Sequence, residues 1–79
     1  MECIAMRYVL TEDHIRDGER ILVSYGIAVV AAEENNLTVI DHVSGISTDP
    51  EPLRVLTQKC NDYGLDRIHL RDIIADFLA

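Results

Sequence analysis

Tryptophan is absent from this 79-residue chain and aromatic residues reach only 5%, so whatever core it builds has to be made of Ile, Leu and Val. Cysteine is nearly as scarce. Cys3 and Cys60 are too few for a disulfide framework and sit in no CxxC or His-spaced metal pattern, so both are read as reduced and partly buried. Cations are outnumbered, with seven Lys and Arg against fourteen Asp and Glu, a net charge of -7 and a pI near 4.6. A surface that neutralises a phosphate backbone needs the opposite balance, which excludes direct DNA or RNA binding from the expected functions. The four glycines, Gly18, Gly26, Gly45 and Gly64, are dispersed, and a glycine-rich turn presenting amides to a nucleotide is missing. No apolar run approaches the roughly 20 residues of a membrane span. No basic stretch, apolar run and small-residue cleavage site open the chain, and a cytoplasmic location without membrane association is expected.

What is present is aliphatic: 48% of the residues are hydrophobic, far from the composition of a disordered tail. The length predicts one domain over residues 1–79, near the small end of what folds alone, where only roughly 60% of the unfolded surface leaves water. Residues 3–10, CIAMRYVL, are rich in β-favouring types and predict a strand. The acid-rich TEDHIRDGE, residues 11–19, reads as a solvated hairpin loop, with Asp17-Gly18 as its turn or a single helical turn within it. Residues 20–32, RILVSYGIAVVAA, read as a second strand because Val and Ile are abundant and Gly26 lies in the interior. That strand is apolar on both faces, a pattern normally covered on both sides, which favours self-association as a homodimer. EENN, residues 33–36, supplies a second hairpin turn, since Asn tolerates positive φ, and LTVIDHVSGI makes a third strand.

Beyond residue 47 the pattern changes to helix. Asp49 is placed to cap and Pro50 fits the first helical position. Leu53, Leu56, Cys60 and Tyr63 recur on one face, with Gly64 as the stop. Asp66 offers a second cap, and Leu70, Ile73, Ile74, Phe77 and Leu78 line the buried face of the last helix. The expected fold is therefore α+β: a three-stranded antiparallel β-meander followed by two C-terminal α-helices packed on one sheet face, in the order β-β-β-α-α.

Chemistry is harder to find. Each histidine neighbours an acid: His14 follows Asp13, His42 follows Asp41, and His69 precedes Asp72 by three. Imidazole and carboxylate suit a divalent metal or an acid-base pair, but a loop, a strand and a helix start need not converge, so solvated roles are expected and no metal or other cofactor is assigned. Ser24, Ser44 and Ser47 lie in no nucleophile elbow, the two cysteines have no local activating pattern, and no catalytic residue is assigned. Ser47, Thr48 and Asp49 at a helix entrance resemble an anion site, yet Pro50 and Pro52 remove two of its amide donors, which leaves capping.

The last helix carries an acidic row, His69, Asp72 and Asp76. Asp72 and Asp76 repel each other at a spacing of four, and Asp76 sits at the negative end of the helix dipole. Local stability does not explain the row. Either Arg7, Arg16, Arg20 or Arg54 meets it from elsewhere in the fold, or it faces water as a contact surface for a basic partner. Arg67 and Arg71 form a parallel basic row, which makes a face of mixed sign suited to an isologous dimer. Candidate partner-binding residues are thus Asp72, Asp76, His69, Arg67 and Arg71.

The segments YGI (25–27), GISTDPEPLRVLTQKCN (45–61) and GLDRIHLRDIIADFLA (64–79) resemble a family of small bacterial proteins of unknown function from Gram-positive anaerobes. The shared elements fall on Tyr25, Gly26, Ile46, Ser47, Thr48, Asp49, His69, Leu70, Asp72, Asp76 and Phe77. Asp66-Arg67 stands where the resemblance leads one to expect Ser-Pro, a change that helix capping survives. The resemblance implies a bacterial cytosolic origin and the domain boundaries, and implies no reaction. The function expected from these readings is a small, acidic, non-enzymatic protein-protein interaction or regulatory module. The alternatives are an inhibitor that imitates nucleic acid before a basic groove, or a small metal-binding protein using His14, His42 or His69.

Overall fold

A computed structural model describes residues 5–79. Strands β1 (Ala5–Asp17), β2 (Arg20–Glu33) and β3 (Asn36–Ser47) form one antiparallel sheet in the order β1-β2-β3. Helix α1 (Pro50–Asp62) follows, then a 3-10 turn (Arg67–His69) that runs directly into α2 (Leu70–Leu78). The α+β meander with two C-terminal helices is as the sequence predicts. Cys3 and Ile4, the first two residues of the predicted strand 3–10, lie outside the described residues.

The largest departure is the segment expected as a loop. Residues 11–17 continue β1, and the chain reverses only at Gly18-Glu19, so that Asp17 opposes Arg20 and Ile15 opposes Leu22 in an unbroken register from Ala5↔Ala32. Acids and His14 look like loop residues in the sequence, but from His14 onward the ribbon is exposed on both faces, so its charged side chains stay in water while the backbone pairs. Cross-strand pairing and the turn then set the conformation. β3 reaches along β2 only as far as Tyr25↔Ser47, so β1 and β2 project beyond it as a two-stranded arm, and the molecule is drawn out to 51 × 29 × 18 Å. In the second turn the residue with positive φ is Glu34, at 54°, and not an asparagine.

Strand alternation puts Tyr8, Leu10, Tyr25, Ile27, Val29 and Val43 on the face that the helices cover. Ile27, Val29, Leu53 and Leu70 are fully buried there, with Tyr8, Ile46, Cys60 and Ile74 around them. Helix α1 begins with Asp49 Oδ1 accepting from the Glu51 amide at 3.1 Å, and Pro50 occupies the first position, where no amide is needed. It ends in a Schellman motif: Gly64, at φ +60°, donates to the Asn61 carbonyl at 3.2 Å and Leu65 to that of Cys60 at 3.0 Å. Two residues expected on buried helix faces are not there. Tyr63 is 84% exposed because it is the C-terminal cap, past the last residue whose direction the helix fixes, and Leu78 is 61% exposed at the end of α2. Thr57 takes the buried place instead, its hydroxyl donating to the Leu53 carbonyl one turn back at 2.8 Å.

The opposite face of the sheet has no helix on it. Ala28 is shielded by its neighbours, but Leu37 and Val39 stand 77% and 62% exposed. β3 crosses close to β2 on this side: a Cβ on Gly26 would lie 2.2 Å from the Val43 carbonyl oxygen and 2.9 Å from Ser44 Cα.

Candidate functional site

The 3-10 turn and α2 carry all five residues singled out from the sequence. Asp66 caps the turn, its Oδ1 accepting from the Ile68 amide at 3.3 Å, and no side chain caps α2 itself. Leu70 and Ile74 anchor α2 to the core, with Ile73 and Phe77 half-buried beside them. That orientation leaves Ile68, His69, Asp72, Ala75 and Asp76 on the outer side, all exposed.

Among the described residues Asp72 and Asp76 meet no cation, and the arginines considered for them do other things. Arg54 pairs with Glu51 on its own helix at 3.4 Å, and Arg7, Arg16 and Arg20 enter no ion pair with another described residue. Arg71 does not complete a basic row for a symmetric partner. It reaches across to β3, where its two terminal guanidinium nitrogens donate to Asp41, at 2.8 and 2.9 Å. This bidentate bond, foremost, holds the Asp41 carboxyl below its ordinary range, helped by the His42 amide and by the nearby charge of Arg67. The two rows on α2 are therefore unlike: Arg71 is used to tie the helix to the sheet, while the carboxylates are left to solvent. Arg67 borders a groove with Met6, Ala31, Glu33 and Ile40.

The histidines do not converge. His14 bonds to Glu12 at 2.8 Å, His42 to Thr11 at 3.1 Å, and β1 alternation sends the Thr11 and His14 side chains to opposite faces. His69 stands on the far side of the helix layer. No group of three or more His, Cys, Asp or Glu able to hold a metal ion occurs among the described residues. Cys60 is buried under α1, and burial pushes its thiol pKa up, away from nucleophilic reactivity. Ser47 and Asp49 are engaged with each other at the helix entrance, through the Ser47 hydroxyl and the Asp49 backbone.

One polar contact was not visible in the sequence. β1 is an edge strand, and the side-chain amide of Asn61 on α1 pairs with it, accepting from the Tyr8 amide at 2.7 Å and donating to the Tyr8 carbonyl at 2.8 Å. Tyr8 also donates its hydroxyl to the Leu65 carbonyl at 2.5 Å, and burial raises its pKa. No spacing pattern joins residues 53 positions apart, and because Asn61 meets main-chain groups, the identity of residue 8 carries no signal for the contact.

The fold defines a small α+β protein with a three-stranded meander and two helices on one face. The whole chain, residues 1–79, matches the model of a family of unknown function, DUF6514, and the protein belongs to that family. Comparison with curated proteins and with solved structures finds no match. No helix among the described residues is long and apolar enough to cross a membrane.

Proposed function

We propose that this protein is a non-enzymatic interaction module whose outer α2 face binds a partner protein through an apolar groove edged with Lys or Arg. The observation that carries the reading is the pair Asp72 and Asp76, exposed, mutually repulsive and without a cation among the described residues, set in a stripe with Ile68 at 73% exposure and beside Leu78 at 61%. An aliphatic patch interleaved with carboxylates favours a surface that removes the first from water and neutralises the second. Imitation of nucleic acid asks for carboxylates gathered along one surface, whereas here they are divided among the hairpin arm, the second turn and the helices.

The test is affinity capture from native extract with the parent and with Asp72→Ala/Asp76→Ala, both checked by circular dichroism. The expected result is a protein retained by the parent, lost by the folded variant, and released as salt rises beyond about 0.3 M, where the Debye length falls well under 10 Å. Equal retention by parent and variant would overturn the assignment of this face.

A further inference from the structure

The β1-β2 arm lacks a third strand. Every residue from His14 to Val23 is exposed, including Ile15 at 51%, Ile21 at 64%, Leu22 at 47% and Val23 at 38%. Two-stranded ribbons are marginal in water, and a bare strand edge is a template for another strand. The sheet itself says which edge groups are free. Tyr8 turns its amide and carbonyl outward to Asn61, and β1 pairs with β2 without a register shift, so the backbone groups of Glu12, His14 and Arg16 point the same way and meet no partner among the described residues.

We propose that two copies of this chain join through these edges, β1 against β1 in antiparallel register about a two-fold axis at His14, making one six-stranded sheet. Charge selects the register. Centred on His14, the pairing sets Glu12 opposite Arg16 of the second copy, twice by symmetry, and His14 opposite its equivalent, so that three residues on each strand exchange ladder bonds. Moving the two-fold by one residue either way, a two-residue slip in pairing, fails: centring on Ile15 brings Asp13 against Asp17, and centring on Asp13 brings Asp13 against itself. The β2 edge of the arm offers no comparable match, since centring on Leu22 sets Arg20 against Ser24. This surface is separate from the outer face of α2, and either assignment can fail without the other.

The test is sedimentation equilibrium of the full chain from micromolar to millimolar concentration, with circular dichroism of each variant. The parent is expected to dimerise. Glu12→Arg and Arg16→Glu should each weaken the dimer by about tenfold or more, because two attractive pairs become repulsive, and Glu12→Arg/Arg16→Glu should restore it. A parent that stays monomeric throughout, a dimer unmoved by both single changes, or a double swap that fails to recover association each overturns the proposal. Amide exchange on the unaltered protein gives a second reading that needs no variant. The Glu12, His14 and Arg16 amides should gain protection as concentration rises, and concentration-independent exchange at all three excludes the pairing.

Discussion

Asn61 stands in for a fourth strand at Tyr8: its carboxamide meets the backbone amide and carbonyl of that residue at 2.7 and 2.8 Å, as a neighbouring peptide would. Helix α1 is thereby fixed to the sheet edge at one point by direction as well as by packing. Asn61→Ala leaves two partly buried backbone groups without partners and is expected to cost about 2–3 kcal/mol in urea unfolding. Asn61→Asp should cost at least as much, because a carboxylate then faces the Tyr8 carbonyl. A loss under about 0.5 kcal/mol for both variants would show that water replaces the amide.

Gly26 is required by closeness. Its missing Cβ is the space through which the β3 backbone passes, and the atoms in the way, the Val43 oxygen and Ser44 Cα, are main chain and cannot rotate aside. Gly26→Ala is expected to destabilise by about 3 kcal/mol or more, with β3 displaced at its bulge. Thermal unfolding followed at 218 nm checks this, with Ala28→Gly as a control for strand propensity.

Glu34 holds a left-handed backbone, φ 54°, in the second hairpin turn. Asn adopts this conformation more readily and Gly does so without steric penalty, so Glu34→Asn and Glu34→Gly should each stabilise, the latter by about 0.5–1 kcal/mol net of its greater unfolded-state entropy. The denaturant midpoint should rise with an unchanged m-value.

The Arg71–Asp41 tether makes stability depend on acid in a defined direction. The carboxyl's folded pKa lies below its ordinary 3.8, so the contribution is present above that value and lost as pH falls through the depressed one. Wild type should therefore exceed Arg71→Gln in stability at pH 6, and the difference should shrink as pH falls below 3.8 and through the depressed folded value. Carbon-detected titration of Asp41 should find its midpoint below 3.8 in the parent and moved upward in Arg71→Gln.

Local patterning carried much of the fold. The grammar of caps, from Asp49-Pro50 to Gly64 and again at Asp66, marked the helices because cap geometry is decided within four or five residues. Aliphatic content and two turn regions marked the meander for the same reason. The departure falls at residues 11–17, where the side chains are mostly polar and the conformation comes from cross-strand pairing with residues 20–26.

For the candidate surface the division is sharper. That α2 has an acidic side follows from a spacing of four along a helix and needs nothing else. Whether those acids are neutralised does not, because the answer depends on where arginines from other elements arrive, and Arg71 arrives at Asp41, thirty positions away. Sequence by itself determined the elements, their order and the sign of the charge, all properties of neighbours along the chain. The tertiary structure alone decided that Asn61 closes one stretch of β1, that Arg71 is consumed inside the fold, and that the arm is left bare, since each depends on which distant groups the packing of helix on sheet brings within a few ångströms.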